Sequence, residues 1–275
     1  DWSRPLSRGN TAVTNVVYQE RAHDVFRRFR VVPTYVVDYP VAENPDAVAT
    51  LSRLAEMGEA EIGAHLHPWV NPPHDEPVTP FNSYAGNLAP GLERAKLEAL
   101  TERITFAFGQ RPRVYRAGRY GVGPATYEHL QALGYTVDTS VVPYTSFTAD
   151  GGPDFSDLGT SVRWCGPADG VLEVPLTAGF CGFFRQAGPA VYPRMTGAAG
   201  MRLRIPGIAA RLGILERIRL TPEGPNGCDM KRLVQTMFAA GQRHFVLSYH
   251  SPSLVPGNTP YVQTSGDLAK FLADI

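Results

Sequence analysis

Short apolar runs, each long enough for one strand, alternate along this chain with segments whose apolar residues recur at helical spacing, and few architectures besides a parallel α/β fold accept that alternation. Strands are predicted over 31–37, 60–67, 113–116, 135–140, 171–177 and 245–249. Helices are predicted around Tyr18, Ala22, Val25, Phe26 and Phe29, then around Val48, Leu51, Leu54 and Ala55 behind the start signal Asn44-Pro45. Leu97, Leu100 and Ile104 mark a third helix that Gly109 stops, and Tyr127, Leu130 and Leu133 a shorter fourth. Leu233, Val234, Met237 and Phe238, and finally Leu268, Phe271 and Leu272, complete the series. Polar side chains follow at the strand ends: Asp38, His65 and His67, Arg116, Asp138 and His250. In a parallel α/β barrel those ends share one face, where active sites form.

His65 and His67 are the sharpest of these. Side chains alternate across a strand, so residues two apart point to one face, and two imidazoles there can share a divalent metal. Pro68 stops the strand, having no ladder donor. A hydrogen-bonded histidine pair is the plain alternative, because structural zinc takes about four ligands and this stretch offers a pair. Arg116 has an equally ordinary role in a structural ion pair. Asp138 with Ser140 can satisfy backbone donors in a turn, and Asp38 before Tyr39-Pro40 can simply form one. Trp69 packs or stands at a site mouth, and residues 70–91, rich in Pro, Asn and Gly, suggest a loop covering a site.

Lys+Arg and Asp+Glu are both 26, so the overall charge gives no reason to expect nucleic acid or an anionic membrane. One stretch departs from that balance: residues 185–219 hold seven arginines against Glu216, either a stripe for an anionic partner or a solvated helical face. Cys165, Cys181 and Cys228 form no Cys-x-x-Cys pair and read as free thiols of a reducing, cytoplasmic compartment, with one disulfide and a free thiol as the alternative. No apolar run approaches the roughly 20 residues of a membrane helix, and no signal-peptide pattern precedes the first helix. With no repeat and no sharp composition shift, residues 1–275 read as a single domain. Because a helix precedes the first visible strand, a barrel in this order needs one more strand upstream of Asp1.

Glu61-Ile62-Gly63-Ala64-His65, Arg116-Ala117-Gly118-Arg119-Tyr120-Gly121 and Leu247-Ser248-Tyr249-His250-Ser251-Pro252-Ser253-Leu254 together resemble polysaccharide deacetylases of the NodB homology type, carbohydrate esterase family 4, in a WalW-like branch. The resemblance implies a distorted TIM-like barrel of about seven or eight βα units, here lacking its first strand. It also implies a bacterial hydrolase that uses a divalent metal, zinc foremost, to remove acetyl groups from a sugar or polysaccharide. By the same resemblance His65 is the first metal-binding histidine; the second would fall at Trp69, and the chain offers His67 instead. Arg116 matches the arginine that holds the catalytic carboxylate, Asp138 would orient an imidazole or that arginine, and His250 matches the general acid. Asp38, Trp69, Tyr120 and Leu254 are the expected substrate contacts, Leu254 as a wall for the acetyl methyl. The family's Thr-Phe-Asp-Asp motif, source of the base and a metal ligand, has no match, so the chain is expected to be cut before Asp1 or to have lost activity. The competing expectations are a carbohydrate-binding protein without turnover and a metal-dependent amidase acting on a non-sugar C–N bond.

Overall fold

A computed structural model describes residues 5–275, so the turn-like reading of the first residues lies partly outside the described residues. In chain order come α1 (Glu20–Phe29), β1 (Thr34–Val37), α2 (Tyr39–Glu43), α3 (Pro45–Glu56), β2 (Glu61–Leu66), α4 (Pro90–Phe108), β3 (Val114–Ala117), α5 (Thr126–Ala132) and β4 (Val137–Asp138). There follow β5 (Thr145–Ser146), β6 (Asp154–Phe155), β7 (Arg163–Cys165), β8 (Val171–Glu173), β9 (Ala178–Cys181), α6 (Gly188–Met195), α7 (Ala198–Arg202), α8 (Ile205–Arg211), β10 (Glu216–Arg219), α9 (Gly227–Ala239) and α10 (Ser265–Asp274). The main sheet runs β1-β2-β3-β4-β8-β7, parallel except for the antiparallel edge strand β7, while β9–β10 and β5–β6 form separate antiparallel pairs. The mixed α/β class with a parallel sheet is the expected one. Among the described residues the sheet is open, with no pairing that closes β7 on β1.

Local chemistry sets the boundaries. Asn44 Oδ1 accepts from Ala47 N at 2.9 Å with Pro45 at the first helical position, the N-terminal arrangement expected of α3. Gly109, at φ 70°, closes α4 in the left-handed region. Thr264 and Asp267 exchange bonds as a capping box on α10. Behind the sheet, Leu51, Leu66, Leu97, Leu100, Ile104 and Tyr115 pack into one buried cluster, and a second cluster joins Ala22 and Phe26 to Leu254, Val262 and Phe271.

Two expectations are corrected. Residues 245–249 form no strand: Val246 N donates to the Thr177 hydroxyl at 2.7 Å and Ser248 N to the Leu220 carbonyl, so a side chain interrupts the ladder and the segment lies extended. Residues 216–219, assigned to a basic helical face, are instead strand β10, with Glu216 opposite Cys181 and Arg219 opposite Ala178. Its single inward residue, Ile218, gives alternation too short to recognise. All three cysteines are free. No helix among the described residues is long and apolar enough to cross a membrane.

One buried charge makes a prediction. Burial pushes the Glu93 carboxyl up to about 7, although Thr126 Oγ1 donates to it at 2.5 Å. The folded chain therefore holds a proton there that the unfolded chain, near the ordinary 4.5, has lost, so stability falls as pH rises between those values. Glu93→Gln is expected to be more stable than the parent by up to on the order of 3 kcal/mol at about pH 8, the gain vanishing below about pH 4 in urea unfolding.

Candidate active site

Parallel register brings the polar strand ends together. His65 of β2 stands beside Arg116 of β3, while one step deeper Ala64 pairs with Val37 and Tyr115 with Asp138. His65 Nδ1 lies 2.8 Å from the Arg116 carbonyl, which can only accept; the ring proton therefore sits on Nδ1 and the lone pair on Nε2. His67 follows on the same face, its ring 4.4 Å from that of His65 in an edge contact and 4.5 Å from Trp69. His67 Nδ1 is buried without a hydrogen-bond partner. The backbone of Gly118 packs so closely on this ring that a Cβ there would sit 2.5 Å from His67 Nδ1. Burial holds both imidazoles below their ordinary value, aided at His65 by His67, Arg116 and His250 and at His67 by His250 and Arg119, which leave His67 at about 3. Both are neutral bases at neutral pH.

Beneath His250 is a carboxylate that the sequence reading missed. Glu223 is buried, with Oε2 2.7 Å from His250 Nδ1 and Oε1 accepting from His250 N at 2.9 Å and Ser253 Oγ at 2.6 Å. Burial raises the Glu223 carboxyl, but the bonds from His250 and Ser253 outweigh it and the net shift is downward. The ionised carboxylate can only accept, so it places the His250 ring proton on Nδ1. His250, 46% exposed, is close enough to His65 and His67 to act electrostatically on both. The lost signal was positional: Glu223 lies just past β10, so recognising that strand would have listed it with the other strand-end residues.

Other expected residues fall elsewhere. Arg116 donates from Nε to the Thr139 carbonyl at 3.1 Å and from its terminal nitrogen to the Thr139 hydroxyl at 3.3 Å, not to a carboxylate; burial lowers its guanidinium. Asp138 leaves the site: register places it with Tyr115 on the alternate face, where it accepts from Ser140 Oγ at 2.6 Å and pairs across the strands with Glu173. Burial and the Asp138 charge drive Glu173 far above the carboxylate range, and Tyr127 OH donates to it at 3.0 Å. Asp38 caps α2, accepting from Val41 N at 3.1 Å, with burial raising it to about 6. Leu254 is no wall for a substrate, because the turn after His250 drives it into the apolar cluster with Phe26 and Phe271. Tyr120 accepts from Arg219 at 3.0 Å and stacks on Phe147, while Trp69 stays half-buried beside His67.

As metal donors, the two imidazoles are of the right type and protonation state. Their number is short, since among the described residues no third His, Cys, Asp or Glu joins them.

A crystal structure of a protein from Mycobacterium smegmatis assigned as a polysaccharide deacetylase superposes with a TM-score of 0.52 at 18% identity, covering 94% of this chain and 71% of that one. This chain has that fold. Two further solved structures overlap only in part. A family 4 acetyl xylan esterase from Clostridium thermocellum, in complex with a cobalt ion, gives a TM-score of 0.33 at 22% identity over 46% of this chain and 54% of that one. A CE4 pseudoenzyme from Bacillus anthracis gives 0.35 at 15% identity over 46% and 40%. No family model and no curated protein matches the sequence.

The deacetylase-like fold holds the histidine segment from behind with a buried lysine. Lys96 Nζ, fully inaccessible, donates to the carbonyls of Pro68 at 3.0 Å, Asn71 at 2.7 Å and Pro73 at 2.5 Å and pairs with Glu76 at 3.1 Å. Lys96→Met strands those acceptors. It is expected to cost about 3–5 kcal/mol in urea unfolding and to alter the emission of the tryptophans, Trp69 among them.

Proposed function

We propose that this chain is a hydrolase that removes acetyl groups from an acetylated sugar or polysaccharide. The observation that carries it is the bond between the buried Glu223 carboxylate and the partly exposed His250 imidazole, together with the two neutral, desolvated imidazoles on which His250 acts. Glu223 holds the proton on His250 Nδ1 and stabilises the imidazolium. His250 Nε2 takes a proton from water on one side of the reaction and gives it to the leaving amine or alkoxide on the other. Trp69, beside His67, offers an aromatic face to a sugar ring. The dry surroundings of His65 and His67 strengthen every charge interaction that develops there. In this proposal His65 and His67 hold a divalent metal, zinc by the preference of imidazole donors, which when bound supplies Lewis acidity toward the acetyl carbonyl.

A second reading, carbohydrate binding without turnover, is favoured by the short donor set. An amidase acting on a non-sugar C–N bond would use the same groups, and substrate choice separates it. Acetate release from acetylated chitooligosaccharides is the deciding measurement. Turnover is expected, falling by about 10²–10⁴ in His250→Asn and by a comparable factor in Glu223→Gln. Binding of the same oligosaccharide with no acetate released, by the parent as by both variants, would leave the binding reading standing alone. Equilibrated with zinc and then desalted, the parent is expected to retain about one ion per chain and His65→Ala none, counted by mass spectrometry; equal counts in the two would remove the metal from the site.

A further inference from the structure

Between β9 and β10 the chain leaves the sheet for residues 182–215, and this excursion is built unlike the rest of the molecule. It holds five arginines, Arg185, Arg194, Arg202, Arg204 and Arg211, with no lysine and no acidic residue, in a chain whose formal charge is zero. All five are exposed, and none pairs with a carboxylate among the described residues. Its apolar side chains also face outward. On α8, Ile205, Ile208 and Leu212 share one face at i, i+3 and i+7 and are exposed, whereas the inward residue is only Ala209. An ordinary surface helix turns its large residues inward.

Backbone bonds draw the two ends of the excursion together. Phe183 N donates to Gly213 O at 3.0 Å and Phe184 N to Ile214 O at 2.9 Å, which seats two outward phenylalanines beside Leu212 and Ile214. Phe183 is 81% exposed and Leu212 68%, more than scattered surface residues need.

We infer that the α6–α8 excursion docks on an anionic lipid bilayer, its exposed Phe, Ile and Leu side chains entering the headgroup region while the five arginines pair with lipid phosphates. Apolar residues rimmed by unpaired arginines match the interfacial, non-spanning mode of membrane binding. A second copy of this chain is disfavoured, because a two-fold contact would set five arginines against five with no carboxylate in the surface. Strand β10 runs from the excursion at Glu216 toward Arg219 and then to Glu223, so the lipid contact and the His250 site lie at opposite ends of the hairpin, about 10–13 Å apart along the strand. Docking there leaves the candidate active site open, and the inference stands whether or not that site turns over.

The test is flotation of the full chain with vesicles of phosphatidylcholine containing about a third phosphatidylglycerol, against phosphatidylcholine alone. Binding is expected to the anionic vesicles, roughly tenfold or more above neutral ones, and to weaken as salt is raised. Arg202→Gln/Arg204→Gln/Arg211→Gln is expected to weaken it by roughly a hundredfold, about fivefold per arginine. Phe183→Ser/Leu212→Ser should abolish it with salt-sensitive charge intact. Because every altered side chain is exposed, both variants should keep the parent's circular dichroism and melting temperature. No flotation with anionic vesicles, equal binding to neutral ones, or a parent dimer that Phe183→Ser/Leu212→Ser dissociates would each overturn the inference.

Discussion

The bond between His65 Nδ1 and the Arg116 carbonyl is the constraint on which the site depends, because it joins two parallel strands at the level where their chemistry emerges. A carbonyl offers no proton, so one hydrogen bond decides which nitrogen of His65 is basic, and the strand register decides where that nitrogen points. His67 then inherits its position from strand alternation, and its ring is pinned between His65, Trp69 and the bare backbone of Gly118. Lys96, gathering the following carbonyls into one buried knot, keeps the chain beyond Pro68 from pulling the pair apart.

The site's electrostatics divide along the same geometry. His65 and His67 are pushed toward neutrality by burial and by neighbouring positive charge, His250 acting on both, whereas Glu223 is pulled toward ionisation by His250 and Ser253 despite burial. Groups driven apart in this way acquire distinct roles without changing residue type. A neutral imidazole is a lone-pair donor, and an imidazole backed by a carboxylate is a proton carrier. Asp138 and Glu173 show the contrary outcome: on the buried face burial and the Asp138 charge push the Glu173 carboxyl up, and the two side chains bond Ser140 and Tyr127 instead of facing the site. The difference is the face of the strand.

That difference also explains what could be read beforehand. β1 and β3 announce themselves through β-branched and aromatic residues and β2 through a short apolar run that ends in its histidines, and the spacing of His65 and His67 survives any small error in strand boundaries. Asp138 looked equivalent because strand ends were counted without assigning faces, and a shift of one residue reverses the side on which a side chain lies. Glu223 was invisible for a different reason: its strand, Glu216–Arg219, alternates arginine with isoleucine and reads as a charged helix face until its pairing with β9 is seen. Leu254 sits in a recognisable motif, yet the direction of its side chain is set by the turn at 251–254 and by the cluster beneath it, which no local pattern encodes.

The turn after β3 shows how a departure from the expected motif is accommodated. Arg119 and Tyr120 occupy left-handed φ values of 53° and 63°, each costing about 1–2 kcal/mol for a side chain with a Cβ. Partners outside the turn hold them there. Arg119 Nη1 donates to Ser83 at 2.6 Å and its guanidinium lies 4.4 Å over the Tyr84 ring, while Tyr120 stacks 5.5 Å from Phe147 and accepts from Arg219. The sharp reversal lets Gly118 approach His67 without a Cβ between them and carries the Tyr120 hydroxyl to β10, the strand that leads into Glu223. Backbone strain at 119–120 is thus the local cost of connecting the imidazole pair at the end of β2 to the strand that leads toward the carboxylate–histidine pair.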